Sequence, residues 1–140
     1  MKPNKNTSEK IGISDNSKVL IINAPSETIK ELNLPVKPAF NKSEDKEFDH
    51  IILFTKKQSQ LDNEFPKYKK LITKTGKLWI AWPKGGQFGT DLNRNEVIKI
   101  GYNHGLVENM NLSINDTWTA LKFTHPKPDK VYNNSYGKLP

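Results

Sequence analysis

The chain has no cysteine and a single arginine, Arg94. Without cysteine there is no disulfide framework, no thiolate zinc cluster and no thiol chemistry, and nothing argues for an oxidising compartment. With one arginine, the bidentate phosphate and guanine contacts of nucleic-acid readers are nearly out of reach. No apolar run approaches the ~20 residues of a membrane span, and residues 1–10 lack the apolar stretch of a secretory signal. A cytoplasmic protein with no membrane contact is the expectation. Hydrophobic residues make up 34% of the 140, enough for one core and one domain.

Positive charge is plentiful, at +7 net, but over half of it belongs to the ends. Lys2, Lys5 and Lys10 outweigh Glu9, and Lys127, Lys130 and Lys138 outweigh Asp129. Both ends, residues 1–10 and 126–140, are rich in Lys, Asn, Pro and Ser and read as flexible arms around a body at 11–125. Within the body, Lys67, Lys69, Lys70, Lys74 and Lys77 form a run free of acids. A solvated helix face is its expected role, so nucleic acid is an unlikely partner.

The body alternates strand and helix signals. Lys18-Val-Leu-Ile-Ile-Asn-Ala24 and Phe48-Asp-His-Ile-Ile-Leu-Phe54 are continuous apolar runs, as strands buried on both faces should be. Pro25 and Ser26 open a short helix through Leu32, and Pro35 and Pro38 confine residues 36–40 to an edge strand. A helix is expected over residues 58–71, with Pro66 kinking or restarting it and Gly76 closing the segment. Residues 78–82 form the third clear strand. Asn93 with Glu96 caps a helix over residues 94–103, and Gly105 suits its C′ position. Residues 106–114 and 118–123 are then joined by three residues alone, which permits only an antiparallel hairpin. The expected fold is a three-layer, Rossmann-like α/β sandwich whose mostly parallel sheet ends in an antiparallel, methyltransferase-like hairpin.

Open parallel sheets bind ligands beyond the carboxyl ends of their strands, near the switch in strand order. That rule selects Asn23, Ala24, Pro25 and Ser26, then Thr55 with its neighbour Lys56, then Trp82, Pro83 and Lys84. The loop from Lys84 to Asp91 holds Gly85, Gly86 and Gly89 and reads as a mobile lid, with Phe88 folding down over Asn23 and Phe54 in this molecule or a neighbouring subunit. Its lysine precedes the glycines, which is the wrong order for a P-loop. Asp91 and Asp116 are the better-placed acids, although capping and turns are the ordinary work of such residues. Trp118 joins the candidate ligand-binding set, while core packing is the default for all three tryptophans. His50, His104 and His125 lack ligand spacing, so no metal is expected, and no residue is assigned as catalytic.

Several segments resemble a small bacterial domain-of-unknown-function family over roughly residues 8–125. They are Lys10-Ile-Gly-Ile13, Val19-Leu-Ile-Ile22, Ala24-Pro25, Leu78-Trp-Ile-Ala-Trp-Pro-Lys84, Thr90-Asp-Leu92, Gly105-Leu-Val107 and Asp116-Thr-Trp-Thr-Ala-Leu-Lys-Phe123. More distantly, the layout is similar to class I S-adenosylmethionine methyltransferases. Phe48-Asp-His-Ile-Ile-Leu-Phe54 resembles their fourth strand, Gly76-Lys-Leu-Trp-Ile-Ala81 their fifth, and the terminal hairpin their sixth and seventh. That resemblance implies S-adenosylmethionine as cofactor, yet the glycine-rich turn after strand one is missing. Asn23-Ala-Pro-Ser26 stands there instead, and the ribose-holding acid expected at the end of strand two has no counterpart near Phe40. We therefore read the chain first as a non-catalytic or regulatory small-molecule-binding module on a degenerate methyltransferase-like fold. A small methyltransferase, with Lys84 on an anionic group and Asp91 or Asp116 orienting the substrate, is the alternative. Weak nucleic-acid binding through the lysine run is a second alternative.

Overall fold

A computed structural model describes residues 10–42, 46–132 and 137–140. Most of the expected N-terminal arm, residues 1–9, lies outside the described residues. The chain runs β1 (Val19–Ile22), α1 (Ser26–Leu32), β2 (Ala39–Phe40), β3 (Phe48–Phe54), α2 (Gln58–Lys69), β4 (Ile72–Pro83), α3 (Arg94–Asn103), β5 (Val107–Ser113) and β6 (Trp118–Thr124). Together the strands form one six-stranded sheet in the order β2-β1-β3-β4-β6-β5. Strands β1 to β4 run parallel, whereas β6 lies antiparallel between β4 and β5. The terminal hairpin is thus folded back so that the later strand, not the earlier, joins the parallel part.

The continuous apolar runs reflect burial on both sheet faces, because successive strand residues point to opposite sides. On one face Leu20, Ile51, Leu53, Ile80 and Leu121 pack against Leu61 and Phe65 of α2 and Val97 and Ile98 of α3. On the other, Ile21, Ile52, Phe54, Trp79 and Trp118 pack against Leu32 of α1 and against Ile11 and Ile13. These are the three layers of a Rossmann-like α/β sandwich. At the C-terminal end, Tyr132 and Leu139 pack beside the α2/α3 layer, and the Lys138 N–H donates to Asn103 Oδ1 at 3.1 Å.

Two expectations need correction. Gly76 does not close a helical segment: it lies inside β4, which starts at Ile72 rather than at Leu78. Phe48 stands opposite Ile72, but His50 stands opposite Lys77, so residues 73–76 bulge out of the ladder. A Cβ on Gly76 would lie 2.9 Å from the Phe48 carbonyl oxygen, so glycine serves close backbone approach there. Pro66 lies within α2, which continues through it without restarting. The edge strand shrinks to Ala39 and Phe40.

Candidate functional site

The chain leaves β1 outward to β2, then returns across β1 to β3, so the switch in strand order lies between β1 and β3. A cleft of about 310 Å³ opens there, beyond the carboxyl ends. Asn23, Ala24 and Pro25 form one wall, Phe54, Thr55 and Lys56 the other, with Gln60 and Trp118 completing it. A second cleft of about 360 Å³ adjoins it and shares Pro25, Lys56 and Trp118. Its remaining lining comes from Glu27, Thr28 and Glu31 of α1, from Phe88, and from Asn115 and Thr117 of the β5–β6 turn.

The turn out of β1 replaces glycine with asparagine. Asn23 takes φ 61°, the left-handed region that asparagine tolerates better than other side chains. Its backbone N–H donates to Asn41 Oδ1 at 2.7 Å, which ties the turn to the end of β2. Pro25 follows as the residue before α1 and brings no N–H. Thr55, at the end of β3, is buried, and its Oγ1 has no partner among the described residues. Trp118 meets Phe54 edge to face, with centroids 5.0 Å apart. The β5–β6 turn is shaped by Asn115, whose Oδ1 accepts the N–H groups of Thr117 and Trp118.

The glycine loop lies at this same end of the sheet, built from tight turns rather than left slack. Gly85, Gly86, Phe88 and Gly89 all have positive φ. The Lys84 N–H donates to Thr117 O at 2.7 Å, Gln87 Nε2 to Asp116 O, and Lys57 Nζ to Gly89 O. Thr90 Oγ1 bonds Lys56 O. Within this chain Phe88 does not fold down onto Asn23 and Phe54. It is 65% exposed, stands at the rim of the outer cleft, and has the Lys56 ammonium 5.2 Å from its ring centroid.

Of the residues selected from sequence, Asn23, Ala24, Pro25, Thr55 and Trp118 line the paired clefts. The others are placed elsewhere, each for a visible reason. Ser26 is the first residue of α1. Trp82 is buried in the α2/α3 layer, on the opposite sheet face, and Pro83 pairs with Trp118 as the last residue of β4. Lys84 Nζ bonds Ser113 Oγ at 2.5 Å. Asp91 Oδ1 accepts the Gln58 N–H at 2.8 Å, capping α2 from another loop, while its carbonyl accepts Gln58 Nε2. Asp116 contributes its carbonyl to Gln87. The cleft residues missed from sequence are Glu27, Thr28, Glu31, Gln60, Asn115 and Thr117. Only the short α1 helix brings the first three to the mouth, and no residue pattern announces that.

The remaining titratable groups lie away from the clefts. His50 is buried in the middle of the sheet. His104 Nε2 meets Asp62 Oδ1 at 2.8 Å and its ring stacks on Phe65. Burial and the Lys69 ammonium lower the His125 pKa. Lys69, in the lysine run, donates to His104 O. No group of three metal-ligating side chains occurs among the described residues, and no described helix is long and apolar enough to cross a membrane.

No protein-family model matches the chain, and no curated protein matches it in sequence. In structure it is similar to magnesium protoporphyrin IX methyltransferase from Synechocystis PCC 6803 with bound S-adenosylmethionine, at 10% identity and TM-score 0.61, over 85% of this chain and 74% of that one. It is also similar to an S-adenosylmethionine-dependent methyltransferase from Aquifex aeolicus (12% identity, TM-score 0.55, 83% and 88% covered). A TehB-like methyltransferase from Corynebacterium glutamicum matches at 9% identity and TM-score 0.54, with 85% of both chains covered. At such identities the likeness concerns fold alone: this chain has the Rossmann-like α/β fold found in S-adenosylmethionine-dependent methyltransferases.

Proposed function

We propose that the chain is a small S-adenosylmethionine-dependent methyltransferase, with the cofactor in the switch-point cleft and the acceptor in the adjoining one. The observation that carries this is the pair of clefts. A group transfer needs two ligands held side by side in a defined geometry, and here two clefts of comparable size share the wall of Pro25, Lys56 and Trp118. When bound, S-adenosylmethionine would supply an electrophilic methyl group, its sulfur keeping the electrons of the broken S–C bond and leaving as the demethylated thioether, with the acceptor's proton released to solvent. Thr55 lines the inner cleft and its hydroxyl is buried without a partner among the described residues, an unsatisfied group that supports a polar ligand at this position. Trp118 and Pro25 form the apolar partition that limits water at the point of transfer.

The fit is looser than the resemblance implies. The Asn23 N–H is already taken by Asn41, and Pro25 has none, so the turn offers a cofactor few backbone donors. Asn41 follows β2 where the resemblance calls for a carboxylate, and its Oδ1 is engaged. Weak cofactor binding is expected. The same observation favours the second reading, a binding module that takes a small polar ligand at the switch point without transferring a group.

Calorimetric titration with S-adenosylmethionine and its demethylated product, followed by transfer of labelled methyl to small acceptors, separates the two. Binding with a Kd of roughly 10–100 μM and measurable transfer supports the methyltransferase. Binding without transfer to any acceptor supports the module. Absence of binding in wild type removes the methyltransferase from this cleft and leaves only a module for some other polar ligand.

A further inference from the structure

We infer that the outer cleft takes a small planar ring bearing an anionic group, stacked against Phe88 with the anion at the Lys56 ammonium. This rests on the reading of that cleft as the acceptor site, and its key residue is anomalous on every ordinary criterion. A bulky side chain at positive φ is an outlier, because its Cβ crowds the backbone. The loop meets the same demand with glycine at Gly85, Gly86 and Gly89, yet keeps phenylalanine at φ 56°. Packing does not explain the choice, since the ring is 65% exposed and lines a cleft instead of a core. Nor is the loop free to relax, because Lys84, Gln87 and Thr90 on one side and Lys57 on the other fasten it to the β5–β6 turn and the β3–α2 loop. An aromatic surface is therefore held out at the rim against both backbone preference and the hydrophobic effect, which is how strain marks a binding position.

Charge at the mouth narrows the ligand further. Of the three lysines on this rim, Lys57 donates to Gly89 O and Lys84 to Ser113 Oγ. Lys56 makes no hydrogen bond or ion pair through its ammonium among the described residues, and is held only over the Phe88 ring. Across the cleft, Glu31 is engaged by Asn115 Nδ2, while Glu27 has no partner among the described residues. An anionic substituent is drawn to Lys56 and repelled by both Glu27 and Glu31, whose charge the neutral Asn115 carboxamide does not cancel, so a ring lying on Phe88 is oriented with its anion toward Lys56 and away from α1. Thr28 and Trp118 supply the rest of the wall.

The test uses two isosteric probes, 4-hydroxybenzoate and the uncharged 4-hydroxybenzamide, titrated into the full chain by NMR, with S-adenosylmethionine titrated separately. Wild type is expected to prefer the benzoate, with shifts centred on Phe88 and Lys56. Phe88→Gly relieves the backbone and is expected to raise Tm by about 3 °C while weakening both probes roughly five- to tenfold. Lys56→Met is expected to abolish the preference and leave the benzamide unchanged. Failure of wild type to bind either probe overturns the inference, as does unchanged probe binding by Phe88→Gly. A fall in Tm for Phe88→Gly also overturns it, since the ring would then serve the fold. Loss of S-adenosylmethionine binding with these probe results intact would sink the cofactor reading and leave this one standing.

Discussion

The carboxamide oxygen of Asn41 accepts the backbone N–H of Asn23 at 2.7 Å, so the end of β2 holds the left-handed residue that turns the chain out of β1. Asn23 lines the inner cleft, and Asn41 follows β2 at the position where the methyltransferase resemblance leads one to expect a ribose-binding acid. Asn41→Asp keeps the acceptor and adds charge, and charge-assisted hydrogen bonds are the stronger ones. The variant is expected to hold its stability and to bind S-adenosylmethionine roughly tenfold more tightly. Calorimetry against wild type checks this; weaker cofactor binding by the aspartate would mean that β2 does not border the ribose site.

Asp91 caps a helix that begins 33 positions earlier in the chain, by accepting the Gln58 N–H. The residue before α2, Lys57, provides no side-chain cap of its own. Asp91→Ala is therefore expected to lower stability by about 1 kcal/mol, and Asp91→Asn by less, in urea denaturation monitored by tryptophan fluorescence. Equal losses would show that the charge matters more than the hydrogen bond.

The contrast between these two contacts explains what could be read in advance. Runs such as Val19 to Ile22 and Phe48 to Phe54 announce buried strands because both their faces are apolar. The Asn93 cap is local, its Oδ1 accepting the Glu96 N–H at 3.0 Å, and Gly105 at φ 91° closes the same helix. Such signals span three or four residues. The first six residues of β4 gave no signal, because Lys74, Gly76 and Lys77 imitate a helix end, whereas residues 73–76 form a bulge beside Phe48 and Lys77 pairs with His50. In the site, the strand-end rule reaches Asn23, Pro25 and Thr55 from sequence. It cannot separate Trp82 from Trp118, because which sheet face each occupies depends on register. Glu27 and Glu31 are brought to the cleft only by the fold.

Gly101 sits in α3 directly over the Phe123 ring, and any Cβ there would collide with it. Glycine normally weakens a helix, so Gly101→Ala would be stabilising if space allowed. Here overpacking dominates, and a net loss of about 1–3 kcal/mol is expected. Adding Phe123→Leu should recover part of it, and a double-mutant cycle in urea measures the coupling.

Burial, reinforced by the ammoniums of Lys77 and Lys122, lowers the His50 pKa from 6.5 to about 4. The Asp49 carboxylate and a hydrogen bond with the Gly12 backbone oppose the shift. The unfolded chain therefore takes up a proton first, so stability is complete above pH 6.5 and falls as pH drops toward 4. The loss amounts to about 3 kcal/mol at most. Thermal midpoints between pH 7 and 4.5 should decline in wild type and decline less in His50→Gln. Parallel profiles would show that carboxylates, not His50, set the acid limb.

The placement of β6 between β4 and β5 governs the order in which the molecule can be completed. A nascent chain emerges with β4 already made but its second edge bare, along a strand that carries Trp79, Ile80 and Trp82. β5 arrives next and cannot cover that edge, because its own partner is β6. Only when Thr124 has left the ribosome can the central seam close, a delay of a few seconds at ordinary synthesis rates. During that interval the growing polypeptide displays the kind of open apolar edge that invites aggregation. Chains halted between Pro83 and Trp118 would be clients for a chaperone instead of smaller working domains.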